Sequence, residues 1–277
     1  MNVPKIKTIA IVVLVLINAF FGAVIIIDRT DDLHEERQAI EYACAVMRSG
    51  GITIYPDAVI TNNTIRKMRT VREDGAEAMI ARAALGQTVM TDLGVIFRYE
   101  NEQRGTAEFY SAGDFEIRFS HGVIRNENGT LRAVQDLVRN MGFETASQSV
   151  SVSQEFETVT VIESYKGASI FNCTTEFTFS GGSLQTIIGR HITGVEPAED
   201  GARIMQAGTA LLGFLAWVRS GNAECTKIDK VEAGYQHRVS GSFGEGVLAP
   251  AWLITTDTAR YIIDDETGEI WPIGQTL

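Results

Sequence analysis

The sequence predicts an α+β protein: a single N-terminal transmembrane helix followed by two extracytoplasmic domains of antiparallel sheet with packed helices. Three observations predict it. Thr8–Ile27 is a run of 20 residues without a charge, the length an apolar helix needs to cross a hydrocarbon core of about 30 Å. Beyond it, helical stripes of apolar residues alternate with groups of strands, three times over. The strand groups alternate polar and apolar positions and are closed by Gly and Asn turns, the pattern of antiparallel sheet with one solvated face.

The elements follow in order. Lys5 and Lys7 precede the apolar run, and Asp28, Asp31, Asp32, Glu35 and Glu36 follow it. Basic flanks stay inside, so residues 1–7 are expected as a cytoplasmic tail, 8–27 as an anchor and the remainder outside. A cleaved signal peptide is the competing reading, but its apolar core is usually about 7–15 residues with a small-x-small cleavage site. Asn18 and Gly22 share a helix face beside Ala19 and Ala23. Small and polar residues at that spacing let helices approach in lipid, so these four are candidate contacts with a membrane partner; one tolerated Asn in a lone anchor is the alternative.

A helix is expected over 33–49, ended by Gly50-Gly51, then a short strand Ile52–Ile54. A second helix is expected over about 75–85, with strands near 93–100, 105–111 and 114–120. The next unit begins with the stripe Leu131, Val134, Leu137, Val138, Met141, stopped by Gly142. Strands near 155–165, 169–179 and 183–190 follow, with Phe171, Cys173, Thr175, Phe177 and Phe179 expected on one face and Gly181-Gly182 as a hairpin turn. A helix over about 200–219 and strands near 226–236, 248–256 and 259–264 complete the chain. The domain boundary is expected in the polar stretch Arg125–Gly129, dividing 28–127 from 128–277.

Composition excludes some functions. All 35 acidic residues but 22 of the 24 Lys and Arg lie beyond Ile27, so that part carries a net −13. Such a charge argues against nucleic acid and against anionic lipid, both of which call for clustered cations. Cys44, Cys173 and Cys225 are too few and odd in number for a disulfide framework, and Cys44 and Cys173 are expected as buried thiols. His34, His121, His191 and His237 have no metal-ligand spacing, and no nucleophile elbow or phosphate loop is present. The glycines of Gly241–Gly246 fall between strands and are expected as a hairpin tip. Asp264, Asp265, Glu266 and Glu269 crowd one turn too short for a calcium loop. Pro250 and Trp252 are expected in the core, with Pro250 at a strand edge or start. No catalytic residue, cofactor or metal is expected.

Several segments resemble one known family. Lys5–Ile9 running into an apolar stretch with Asn18, the helix end Gly50–Ile54 with Pro56-Asp57, and Tyr165–Gly167 followed by Ile170–Cys173 resemble the membrane-anchored YycH/YycI regulators. So does the C-terminal order Val231–Tyr235, Leu248–Trp252, Thr255–Asp257, Tyr261 and Thr267–Ile270, and the ending also resembles the PepSY type of exported module. The resemblance implies a non-enzymatic regulator that sits beside a sensor histidine kinase of the YycG (WalK) type, with a YycH-like protein as a further partner. An exported enzyme acting on cell wall or peptides, and a ligand-binding sensor module, are the alternatives.

Overall fold

The computed structural model describes residues 34–273 apart from 112, 128, 154, 200, 202–203 and 242–244. In chain order these hold helix α1 (34–49), strands β1 (Val59–Ile60) and β2 (Met68–Val71), and helix α2 (Ala76–Leu85). Next come β3 (Val89–Asp92), β4 (Ile96–Asn101), β5 (Gly105–Tyr110), β6 (Asp114–Phe119) and α3 (Thr130–Met141). The strands β7 (Thr145–Val152), β8 (Glu157–Tyr165), β9 (Ala168–Ser180), β10 (Ser183–Arg190) and β11 (Gly194–Pro197) precede α4 (Ala207–Trp217). The chain ends in β12 (Ile228–Val239), β13 (Gly246–Thr256), β14 (Arg260–Asp264) and β15 (Ile270–Ile273).

The expected architecture of one transmembrane helix leading two separate antiparallel domains is corrected. Among the described residues no helix is long and apolar enough to cross a membrane. The physical reason is length: α4, the most apolar helix, has 11 residues and so spans about 16 Å, half of what a bilayer core demands. Segments 1–7 and 8–27, with Asn18, Ala19, Gly22 and Ala23, lie outside the described residues. The described chain is mostly sheet, its strands join into one connected ladder, and two of the pairings are parallel, β1 with β12 and β12 with β9.

Two cores hang on that ladder. One eight-stranded antiparallel stretch runs β7-β8-β9-β10-β6-β5-β4-β3. Helices α2 and α3 cover one of its faces, burying Ile80, Leu85, Val134, Leu137 and Met141 against Phe115, Phe177 and Ile187. In the other lobe α1 and α4 lie on β12, β13 and β14, with Ile40, Cys44, Met47, Leu211, Phe214 and Trp252 in the core. Residues on both sides of position 127 contribute to each lobe.

The helix ends follow local chemistry. Gly142 is left-handed (φ 81, ψ 15), and Phe143 N–H donates to Val138 O at 3.1 Å. Gly51 (φ 89) ends α1 in the same way, with Ile52 N–H on Met47 O at 3.1 Å. A left-handed glycine with this back-bonding satisfies the last helical carbonyls.

Strand β9 is the joint between the lobes. Its outer half, Thr174–Phe179, pairs with β8 and β10, and its first residues pair with β8 again at Ser169 and Ala168. Between these the register breaks, Ile162↔Thr174 being followed by Ser164↔Ser169, and Ile170 pairs instead with Tyr235 of β12. The break re-aims the side chains, as bulges do. Cys173, Phe177 and Phe179 enter the helix-covered cores, whereas Phe171 leaves the face expected for it and joins Ala251, Leu253 and Ile262 on the other side.

Gly234 allows the crossing. A Cβ there would lie 2.6 Å from Ser169 O and closer still to the Phe171 ring. We expect Gly234→Val to cost about 1–3 kcal/mol by overpacking, read as a lower urea midpoint with an unchanged slope. A midpoint equal to that of the parent would show that β9 and β12 can part without penalty.

Pro250 is buried inside β13 rather than at its start. Asp265 N–H donates to Pro250 O at 3.3 Å, which sets the amide side of Pro250 toward the edge that β2 and β14 share. β2 pairs with Gly246–Leu248 and β14 with Ala251–Thr255, so the missing N–H falls in the gap between them. This is how a central strand accommodates proline without losing a ladder bond.

Candidate functional site

The faces of the two lobes that carry no helix line a trough of about 670 Å³ on either side of β9. Its apolar floor is Ile162, Phe171, Leu253 and Ile273. The walls come from β7, β8 and β9 on one side (Ser147, Ser149, Thr160, Thr174) and from β12, β13 and β14 on the other (Lys230, Glu232, Thr255, Arg260). Cross-strand register explains the hydroxyl row. Ser149, Thr160 and Glu176 stand opposite one another on β7, β8 and β9, and Ser147, Ile162 and Thr174 form the next row. Thr and Ser suit the solvated face of a sheet.

Part of the polar lining is committed. Asn172 donates to His237 O and accepts from His237 N–H, both at 2.8 Å. Glu232 accepts from Ser169 Oγ at 3.1 Å and pairs with Lys230 at 2.7 Å. The guanidinium of Arg260, half-buried in the wall, has no carboxylate within salt-bridge distance among the described residues. Beyond the paired Lys230 and Glu232, the trough therefore offers an apolar floor, hydroxyls, the Arg260 guanidinium and the exposed Glu176 carboxylate.

A second hollow, of about 250 Å³, opens at the lobe junction between Glu73, Glu144, Tyr165 and Thr193. There Glu163, 4% exposed, faces His191 Nδ1 with both carboxylate oxygens at 3.0 Å. The imidazole stacks on Phe143, centroids 4.1 Å apart. Nearby Arg190 clasps Asp114 in a bidentate pair at 2.9 and 3.1 Å, and Arg72 pairs with buried Glu77 at 2.9 Å. The Arg190 and His191 pairs hold the start of the crossing from β10 to β11, and the Arg72 pair ties the end of β2 to α2. No Ser, Thr or Cys side chain shares a hydrogen bond with His191 among the described residues, so the pair lacks the nucleophile that an acyl-transfer site needs.

The remaining sequence candidates fall into structural roles. His34 bonds Gln38 on the exposed side of α1, and buried His237 faces Thr70 Oγ1 at 3.1 Å. Asp264 is buried, accepts the N–H groups of Glu266 (2.8 Å) and Thr267 (2.9 Å) and pairs with Arg238, so the acidic turn is held from within. Gly241 and Ser240 close the β12–β13 hairpin through Glu245 O, both at 3.0 Å; 242–244 of that glycine stretch lie outside the described residues. Among the described residues no group of three or more His, Cys, Asp or Glu is placed to hold a metal ion. Asn18, Ala19, Gly22 and Ala23 cannot be placed relative to either hollow, since they too lie outside the described residues.

All three cysteines are free. Burial pushes the Cys173 thiol well up, and burial also raises Cys44 and the half-buried Cys225. Since the thiolate is the reactive form, a maleimide at neutral pH is expected to label Cys225 first and to reach Cys44 and Cys173 after denaturation. Mass mapping that found Cys173 labelled in the folded chain would contradict its burial.

No known family profile matches the sequence, and no curated protein matches it. Among solved structures, the chain is similar to an uncharacterized protein from Eubacterium rectale at 8% identity and TM-score 0.47, covering 75% of this chain and 85% of that one. It is also similar to the Bacillus megaterium YpeB C-terminal domain at 13% identity and TM-score 0.36, covering 75% of this chain and all of that domain.

Proposed function

We propose that the chain is a non-catalytic binding module that works at the outer face of a membrane, where it contacts a sensor histidine kinase of the YycG/WalK type and shifts it between states. The observation that carries the reading is the trough: an apolar floor flanked by hydroxyls and Arg260. That combination suits recognition of another chain, in which polar rims orient and a small apolar centre binds. The uncharged run Thr8–Ile27 behind Lys5 and Lys7 supports delivery to a membrane, and the C-terminal resemblance to YycI-like regulators supports the choice of a kinase. A module of this kind acts by differential affinity for the kinase's two states.

The test is a photo-crosslinking residue at Thr174, carried by the full chain in native membranes. Capture of a sensor kinase, lost when the probe is moved to exposed Glu41, is the expected result. Absence of any kinase among the specific products sinks the proposal. A small-molecule sensor is the second reading, favoured by the trough volume, which lies within the roughly 300–1,000 Å³ of ligand pockets. A ligand binding the folded state would raise the melting temperature.

A further inference from the structure

The free edges of the ladder are not alike. β11 ends in Pro197, β15 carries Pro272 and β3 carries Asp92. Proline and charge on an edge are the usual protection against adventitious strand pairing. β7 has neither. Its eight residues, Thr-Ala-Ser-Gln-Ser-Val-Ser-Val, bond β8 on one side. Among the described residues no backbone bond is made on the other side. Val150 and Val152 are 47% and 73% exposed, and Phe156 just beyond is 46% exposed. Charge returns only at the two ends, with exposed Glu144 before the strand, one oxygen of which accepts from Lys166 N–H at 3.1 Å, and exposed Glu155 after it.

We propose that β7 is a docking edge for an extended segment of a partner protein, with an uncharged middle bracketed by basic residues. An added strand would satisfy the outward N–H and C=O groups of β7 along about 27 Å, taking 3.4 Å per residue. Its basic flanks would meet Glu144 and Glu155. Ala146–Ser149 already form part of the trough wall, so the added strand extends that wall. A second copy of this chain fits worse. Two-fold antiparallel pairing of β7 with itself brings Glu144 of one copy toward the Glu155 end of the other, where like charges repel. The proposal deepens the binding-module reading and rests on it.

The experiment uses the full chain in mild detergent and fluorescein-labelled peptides of Thr-Val repeats, flanked at both ends by Lys pairs or by Glu pairs. Anisotropy is expected to show saturable binding of the Lys-flanked peptide, about tenfold tighter than the Glu-flanked one and weakening with salt. Val150→Pro is expected to abolish binding with the melting temperature preserved. The double change Glu144→Lys with Glu155→Lys is expected to invert the flank preference while keeping the edge, and it decides the matter if the proline variant unfolds. Equal binding of both peptides, no binding, or an unaffected proline variant overturns the proposal. So does a proline-sensitive dimer in sedimentation, which would make β7 an interface between copies. A kinase captured at Thr174 with no peptide bound at β7 would remove the edge and leave the binding-module reading standing.

Discussion

Trp252→Ala is expected to destabilise the folded chain by about 3–5 kcal/mol, the usual loss for truncating a buried tryptophan. Trp252 is 1% exposed in the middle of β13, paired in register with Ala233 and Ile263. Its Nε1–H donates to Met205 O at 3.2 Å, tying the segment that leads into α4 to the sheet. Alanine would leave a void under α1 and α4 and a buried carbonyl without its donor, and both terms act in the same direction. Since whole domains are stable by about 5–15 kcal/mol, the variant would sit near the threshold of folding. Urea titration followed by tryptophan fluorescence measures the loss. A change under about 1 kcal/mol would mean that the site collapses around the gap, against the packing described.

His191→Ala is expected to cost a comparable amount, about 3–5 kcal/mol, because it strands a buried carboxylate. Glu163 is enclosed by β7, β9 and the β10–β11 crossing, and His191 is the partner on both its oxygens. The stacked contact with Phe143 would be lost as well. The double variant His191→Leu with Glu163→Leu is expected to recover most of the loss, since replacing a buried pair by apolar groups is often neutral. Denaturant midpoints of the two variants test this directly. If the double is no better than the single, the pair matters through its shape rather than its charge.

Local chemistry made much of this fold legible in the sequence. The stripe Ile40, Ala43, Cys44, Met47 and the stop at Gly51 locate α1, and Val134, Leu137, Val138 and Met141 before Gly142 locate α3. Leu131, expected on that stripe, is 41% exposed because it sits in the first turn, short of the sheet. The helix expected from residue 200 starts at Ala207, Gln206 before it being extended (φ −64, ψ 141); at the other end the chain widens into a π turn (Val218–Asn222) that contains left-handed Gly221. Strand β7 is not legible in the sequence because TASQSVSV has no aromatic and no buried face and so reads as polar loop. β2 and β11 escaped for another reason. They are four residues each and gain their order from β13 and from each other, a non-local source that periodicity does not report.

The candidate site was the less legible part. Glu163 and His191 are 28 residues apart in sequence, and Glu163 sits where the β8–β9 register shifts, a feature with no local sequence signal. The trough likewise combines hydroxyls from 147–174 with Arg260, and neither segment carries a motif. The four residues expected to touch a partner, Asn18, Ala19, Gly22 and Ala23, share a helix face by spacing alone and lie outside the described residues.

Strand β9 contributes Ile170 and Cys173 to one core and Phe177 and Phe179 to the other. Melting either half withdraws a wall from its neighbour, so heat should take the chain through one calorimetric peak instead of two. The same continuity makes β9 a mechanical coupler: a pull applied at one lobe is handed along covalent backbone to the next, without crossing a hinge made of loop.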